Sequence, residues 1–217
     1  ELVFEKSDQF DEISDEDGFP TEDLSKLTEW VRTSVDELIE HKSYDVKAIH
    51  FSGYGASLVP LDSSGNPILP LYNYLKPYPD ELVHDFVKKH GNQETLSIET
   101  SSPWLGNLNS GLQVYAARLK PFWPEVFKAF HFPNYLASLF TGKFLSEITS
   151  IGCHTALWDF DKGQYHPWVS TIEDKLAPIS VESFISIDGI NYGFGLHDSS
   201  AALVPYLRSI SEEFVLL

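Results

Sequence analysis

The chain has 217 residues, of which 42% are hydrophobic and 14% aromatic, so it is long enough to bury a substantial core in one or two domains. Acidic residues outnumber basic ones by 32 to 15, and the formal charge of −17 argues against nucleic acid and anionic membrane surfaces as partners. The single cysteine excludes an intrachain disulfide. Because there is also no signal peptide and no apolar run of membrane-spanning length, the cytoplasm is the predicted location.

The first part of the chain contains its clearest helix. Residues 1–4 predict the remnant of a strand and are followed by an acidic loop. Thr21 is the predicted cap of a helix whose apolar residues recur every three or four positions as far as Ile39. Residues 46–51 then predict a buried strand with residues 58–61 as its neighbour, and a turn follows at 63–67.

The middle of the chain predicts helices and one long loop. A helix should begin at Pro79 and end at Gly91. Residues 92–110 are polar and rich in turn formers, and they predict a functional loop anchored by Trp104. Further short helices are predicted at 112–119, 124–130 and 133–140, with Thr141 and Gly142 ending the last one. A helical middle between strand-rich ends favours a single α/β domain.

Asp198 is the most informative residue near the end of the chain. An apolar segment at 184–187 and a glycine-rich turn precede it, and residues 199–204 have the pattern of the first turns of a helix. A carboxylate at the N-terminus of a helix is favoured in its ionised form. It would be a charged hydrogen-bond acceptor beside an open crevice, which suits a base for a sugar hydroxyl. The alternative is that Asp198 is only an N-cap.

Three stretches, in this order, resemble the FGGY carbohydrate kinases, which phosphorylate sugars and polyols with ATP. Residues 48–57 and 61–70 resemble the strand, tight turn and returning strand on the family's substrate side, with its "D-x-x-G-x-P-L-x-P" tail. Residues 133–159 are similar to the signature "D-Y-L-x-x-x-L-T-G…D-x-T-x-A-S-x-T-x-L-x-D". Residues 195–202 resemble the catalytic segment "G-x-x-D-x-x-A-A". The resemblance covers nearly the whole chain.

Two details point to a subgroup of this family. His197 precedes the aspartate, as it does in rhamnulokinases and their deoxy-ketose relatives. The turn at 54–57 is also nearer to their "W-G-V-D" than to the "Q-M-H-G" of xylulokinases. The resemblance therefore ranks a ketose or deoxy-ketose, rhamnulose-like or xylulose-like, above glycerol. One departure is that Tyr72, Asn73 and Tyr74 stand where the family often has Trp-x-Asp, which removes an acid.

The resemblance implies an α/β, actin-like ATPase fold, in which a ribonuclease H-like domain has a mixed sheet with flanking helices. Residues 1–217 would be the N-terminal, sugar-binding domain without the family's first phosphate-binding hairpin, and the C-terminal nucleotide-binding domain would lie outside this chain. ATP with Mg²⁺ would be bound mainly by parts of the protein outside it. A small-molecule sugar and ATP are the expected partners. The oligomeric state is left open, with a homodimer among the alternatives.

The resemblance also implies roles for individual residues. Asp198 would be the general base. The remaining predicted residues are substrate contacts: Gly55, Ala56, Ser57, Trp104, His197 and Ser199. Each has a structural alternative: a turn required by sterics for the first three, core packing for Trp104, a strand end for His197 and a helix start for Ser199.

No metal site is predicted. Cys153 and His154 are neighbours, but no further cysteine or histidine stands at metal-ligand spacing, so packing is the expected role of this pair. Glu147 and Asp159 are expected to be structural, at a helix start and a strand end.

Two other functions are left open by the sequence. One is a non-catalytic, sugar-sensing protein of the same fold. The other is a glycoside hydrolase, which needs two acids facing each other across a cleft.

Overall fold

The computed structural model describes residues 1–68 and 70–214. The helices are α1 (Leu24–Glu40), α2 (Asp80–His90), α3 (Gln93–Thr100), α4 (Ser110–Ala117), α5 (Phe132–Thr141), α6 (Ile148–Gly152) and α7 (Asp198–Ser209). The strands are β1 (Ile13–Ser14), β2 (Pro20–Thr21), β3 (Ala48–Ile49), β4 (Ser52–Gly53), β5 (Leu58–Leu61), β6 (Lys128–His131), β7 (Trp158–Asp159), β8 (Gln164–Tyr165), β9 (Phe184–Ile187), β10 (Ile190–Gly193) and β11 (Leu196–His197). Short 3₁₀ helices connect several of them.

The sheets bring the segment at 48–53 alongside the segment at 184–197. Strand β10 pairs with β9 antiparallel and with β3 parallel. Strand β11 then pairs with β4 in the same parallel sense, with His197 opposite Gly53. The stretch from β10 to β11 therefore runs alongside the stretch from β3 to β4, and a backbone hydrogen bond of 2.9 Å from Leu196 to Phe51 joins the two. This mixed pairing places the start of α7 beside the turn that follows β4.

The core consists of two apolar clusters that share strand β5. Because successive side chains of a strand point to opposite faces, Leu58 packs into one cluster while Val59 and Leu61 pack into the other. The first cluster includes Phe86 of α2 and the second includes Phe130 of β6. Helix α5 is buried along most of its length, so it lies inside the molecule rather than on its surface.

Helix α1 confirms the predicted helix, but Thr21 is not its cap. The cap is Asp23, whose carboxylate accepts hydrogen bonds from the N–H groups of Ser25 and Lys26. Thr21 is instead buried in β2, where its hydroxyl donates to the carbonyl of Leu71. Thr21 and Asp23 are both residue types that cap helices, and Asp23 is the cap because Thr21 makes its hydrogen bond to Leu71 instead.

The predicted pairing of residues 46–51 with residues 58–61 is wrong. Strand β5 pairs with β6, which places Leu58 opposite His131. Residues 124–130, predicted as a helix, form a 3₁₀ turn at Trp123–Glu125 and then strand β6. A four-residue strand is too short for its periodicity to be distinguished from that of a helix. Residues 1–4, predicted as a strand, belong to no strand or helix.

The loop predicted at 92–110 is wrong for its first part, which is helix α3. This helix is capped by the side chain of Asn92, which accepts from the N–H of Thr95 at 2.8 Å. The helix ends predicted at Gly91 and Gly142 are confirmed, and both glycines have positive φ, 116° and 62°.

Candidate functional site

Asp198 lies where the sequence predicts it, at the junction of a strand and a helix. It is the first residue of α7 and directly follows β11. The N–H of Ser199 donates to Asp198 Oδ1 at 2.7 Å, which orients the carboxylate. The side chain nevertheless keeps 53% of its surface exposed, so one of its faces can meet a ligand.

His197, and not Asp198, is the N-cap of α7. Its Nδ1 accepts from the N–H of Ser199 at 3.2 Å, and its own N–H donates to Thr149 Oγ1 at 3.1 Å. The residue is only 4% exposed. Burial lowers the pKa of His197, against the opposing effect of the Asp198 and Glu147 carboxylates. The imidazole is therefore held neutral next to a carboxylate.

One of the three residues of the predicted sugar-binding turn, Gly55, contacts His197. A Cβ on Gly55 would lie 2.2 Å from Cδ2 of His197. Ala56 and Ser57 are buried. The carbonyl of Ala56 accepts from the side chain of Gln113, and the hydroxyl of Ser57 donates to the carbonyl of Tyr72 at 2.7 Å. Direct sugar contacts by Ala56 and Ser57 remain predictions.

Trp104 packs against the core, but its segment reaches the site. Its ring lies 6.0 Å from that of Phe86, centroid to centroid, in the first apolar cluster. A few residues further on, the side-chain amide of Asn109 donates to the carbonyls of Pro103 and His154, at 3.0 and 2.8 Å. The segment around Trp104 is thus tied to the backbone that carries His154.

Cys153, His154 and His197 form a cluster that their spacing in the sequence does not indicate. One ligand atom from each lies within 4.8 Å of those of the other two. Cys153 Sγ is 3.1 Å from His154 Nδ1, and the rings of His154 and His197 meet edge to face with 5.3 Å between centroids. The expectation that the Cys153–His154 pair lacks a third potential ligand is wrong, because β11 supplies His197. Burial, and then the carboxylates of Asp198 and Glu147, raise the pKa of the Cys153 thiol.

A third histidine lies behind this cluster. His131 is fully buried at the end of β6, where its Nε2 is 2.8 Å from Ser110 Oγ and its Nδ1 has no hydrogen-bond partner. Burial, followed by the influence of His197 and His154, lowers the pKa of His131 to about 3. His131 is therefore neutral at physiological pH.

The two acids expected to be structural do have structural contacts. Glu147 caps α6 through hydrogen bonds from the N–H groups of Thr149 and Ser150, at 2.6 and 2.7 Å. Asp159 ends β7 and accepts from the ammonium group of Lys162 at 2.6 Å. These contacts do not favour a hydrolase with paired acids, because such an enzyme needs two carboxylates facing a substrate.

A separate cavity of about 710 Å³ lies between the segments 72–82 and 113–122. Its lining includes Tyr72, Leu82 and Phe122, and it contains none of the predicted site residues. Asp198 is thus on an open face rather than in this cavity. No helix in the described part of the chain has both the length and the apolar character needed to cross a membrane.

No protein-family model matches the chain, and no curated protein matches its sequence. Solved structures do match. A carbohydrate kinase from Novosphingobium aromaticivorans is 26% identical with a TM-score of 0.75, over 90% of this chain and 44% of that one. A xylulose kinase from Lactobacillus acidophilus is 15% identical with a TM-score of 0.78, and the match covers 93% of this chain and 44% of that kinase. A gluconate kinase from the same organism is also 15% identical with a TM-score of 0.76, and the match covers 91% of this chain and 44% of that kinase.

The chain therefore has the fold of the carbohydrate kinases, and the α/β, actin-like ATPase fold expected from the sequence is confirmed. The chain spans less than half the length of each of these three kinases.

Proposed function

We propose that this chain is the sugar-binding part of a carbohydrate kinase, in which Asp198 activates a sugar hydroxyl for attack on ATP. One observation carries this proposal. A carboxylate fixed by the N–H of Ser199, yet 53% exposed, lies at a strand–helix junction of a fold shared with kinases of sugars and sugar acids.

The chemistry requires little of the carboxylate beyond its position. Phosphoryl transfer passes through a loose transition state, so the hydroxyl proton leaves late and a weak base is sufficient. The hydroxyl oxygen forms a bond to the γ-phosphorus, the bond between that phosphorus and the bridging oxygen breaks, and ADP leaves. Asp198 takes the proton. Its exposed face is the one that can reach a hydroxyl, because the N–H of Ser199 holds Oδ1.

The groups around Asp198 do not fit Mg²⁺. This ion prefers oxygen ligands, whereas the side chains brought together here offer a thiol and two imidazoles. We therefore assign ATP and its Mg²⁺ mainly to parts of the protein outside this chain. Residues 1–217 would be an N-terminal domain without the first phosphate-binding hairpin, and a C-terminal domain would hold the nucleotide. The open face at Asp198 agrees with a cleft that a second domain completes.

The substrate class rests on the turn after β4. Gly55 leaves room for the imidazole of His197, whose Nδ1 lies 3.2 Å from Asp198 Oδ1, so a sugar bound at Asp198 would lie next to a neutral ring. We propose a ketose or deoxy-ketose, with Ala56, Ser57, Trp104 and Ser199 as further contacts. Rhamnulose-like and xylulose-like sugars are the first to test. A cytoplasmic location remains a prediction, and the oligomeric state stays open.

The test is a coupled assay of ADP release by the full-length protein against ketoses, deoxy-ketoses and polyols. At least one sugar should stimulate ADP release. Asp198→Asn should lower kcat by about 10²- to 10⁴-fold with unchanged thermal unfolding. Asp188→Asn is the matched control, because Asp188 is an exposed turn residue with φ of 50°, a conformation that asparagine tolerates.

Three outcomes would contradict the proposal. Full activity of Asp198→Asn would show that Asp198 is not the general base. Sugar-dependent thermal stabilisation without ADP release would indicate a sugar sensor of the same fold. Release of sugar from a glycoside without ATP would indicate a hydrolase.

A further inference from the structure

The side chains of Cys153, His154 and His197 meet next to Asp198, and the proposed phosphoryl transfer does not need the first two of them. One ligand atom from each lies within 4.8 Å of the others. Two of them directly follow α6 and the third belongs to β11, so the cluster exists only in the folded chain. All three residues lie in the described part of the chain, and no other group of this kind is found there.

The chemistry of these atoms selects a class of ion. Sulfur and imidazole nitrogen bind zinc and related d-block ions, whereas Mg²⁺ and Ca²⁺ prefer oxygen. Zinc takes sulfur at about 2.3 Å and nitrogen at about 2.0–2.1 Å, so in a tetrahedral site the ligand atoms are roughly 3.5 Å apart. The Cys153–His154 pair already has a separation of 3.1 Å. The 4.8 Å limit for the whole cluster exceeds this spacing by about 1 Å, so binding an ion would draw the three side chains closer by that amount.

The backbone that carries these ligands is already fixed by hydrogen bonds. The carbonyl of His154 accepts from Asn109 at 2.8 Å, and the next carbonyl, that of Thr155, accepts from the N–H of Gly111 at 2.8 Å. On the other side, the N–H of His197 donates to Thr149 at 3.1 Å. Binding an ion would therefore order few additional groups, which keeps the entropic cost of binding low.

We propose that Cys153, His154 and His197 bind a zinc-class ion, with the fourth position open to water or to the carboxylate of Asp198. Three protein ligands and one exchangeable position are the arrangement of zinc sites that are not purely structural. The thiol gives up its proton to solvent when the ion binds. Asp198 is adjacent to the cluster, because its Oδ1 lies 3.2 Å from Nδ1 of His197. Since the N–H of Ser199 donates to both of these atoms, an ion bound to them would displace that capping hydrogen bond.

A second consequence rests on the proposed function. An ion bound to His197 would hold the Asp198 carboxylate as a ligand or a neighbour, and that carboxylate would no longer accept the proton of the sugar hydroxyl. Zinc should therefore inhibit sugar phosphorylation. Binding itself involves neither sugar nor ATP, so the two ideas can fail separately.

The experiment measures binding of Co²⁺ and Zn²⁺ to the full-length protein without sugar or nucleotide. Co²⁺ bound to a thiolate gives a charge-transfer band in the near ultraviolet, and Zn²⁺ should remove that band by displacement. We expect one ion per chain, no competition from excess Mg²⁺, and loss of the band in Cys153→Ser. His154→Asn should keep the band but weaken binding at least about tenfold.

His84→Asn is the control, because His84 is exposed on α2 and outside the cluster. It should bind as the wild type does. His197→Gln should also weaken binding, and if loss of the α7 cap unfolds this variant, His154→Asn still decides the question. Absence of the band in the wild type, or wild-type affinity in His154→Asn, would overturn the proposal.

Discussion

Gly55 lies against the imidazole of His197, and no larger residue fits between them. A Cβ on Gly55 would be 2.2 Å from Cδ2 and 3.1 Å from Nε2 of the ring. This contact joins the turn after β4 to the cap of α7, and it therefore helps to hold Asp198 in place. The glycine is required here for space.

Gly55→Ala should push His197 out of its capping position. We expect a loss of about 1–3 kcal/mol in the free energy of unfolding, since the methyl group overpacks a buried contact. Activity should fall as well, because Asp198 directly follows the displaced residue. Urea denaturation of Gly55→Ala, His197→Ala and the double variant measures the coupling between the two positions. The double variant should cost less than the sum of the single ones, and simple additivity would show that the contact with His197 is not the cause.

Gly195 is required both for its backbone conformation and for the space that it leaves. Its φ is 97°, and a Cβ there would lie 2.6 Å from the carbonyl carbon and oxygen of Pro133. Gly195→Ala should therefore lose about 2–5 kcal/mol of stability from backbone strain and overpacking together. Gly18→Ala is the matched control, since Gly18 has φ of 77° but no atom within 4 Å of its Cβ position. Equal losses in the two variants, measured by urea denaturation, would contradict the steric argument.

Local signals in the sequence were sufficient to predict several elements that position the site. The spacing of apolar residues predicts α1, the glycines at 91 and 142 predict two helix ends, and the glycine-rich turn places Asp198 at a helix start. These signals work because each depends on neighbours only a few residues away. The placement of Asp198 could therefore be predicted, although its role remains a proposal.

Contacts between distant segments could not be predicted in this way. Strand β5 pairs with β6, and no local pattern specifies this pairing. Helix α3 is short and polar, and its cap Asn92 is a residue that also favours turns. His197 meets Cys153 and His154 because β11 lies against α6, where the N–H of His197 donates to Thr149, so the spacing of these residues in the sequence carried no metal-site signal.

His131 should make the protein sensitive to acid. Its folded-state pKa of about 3 lies below the usual 6.5, so between these values the unfolded chain binds a proton that the folded chain does not. Stability should therefore fall as the pH falls from about 6.5 towards 3. His131→Gln keeps a group that can bond Ser110 and cannot titrate. Its free energy of unfolding, measured in urea at several pH values, should fall less steeply over this range, and an unchanged slope would contradict the assignment.

Asp15 should contribute to stability in a lower pH window. Burial alone would raise its pKa. Hydrogen bonds from the ammonium group of Lys76 and from the N–H groups of Phe19 and Asp17 outweigh burial, so the pKa of Asp15 lies below its usual value. The ionised form is thus favoured in the folded state. Its stabilising effect is complete above the unfolded-state pKa of about 4 and is lost as the pH falls through the lowered folded-state value.

Asp15→Asn should lose about 1–3 kcal/mol of stability at pH 7, because the variant weakens a buried hydrogen bond to a charged group. Asp17→Asn is the control, since Asp17 bonds the same Lys76 at 2.6 Å but is 58% exposed, and it should lose less than about 1 kcal/mol. Urea denaturation below pH 4 should show the difference between wild type and Asp15→Asn shrinking. A difference that stays constant down to pH 2 would mean that the Asp15 carboxylate is not the group stabilised by Lys76.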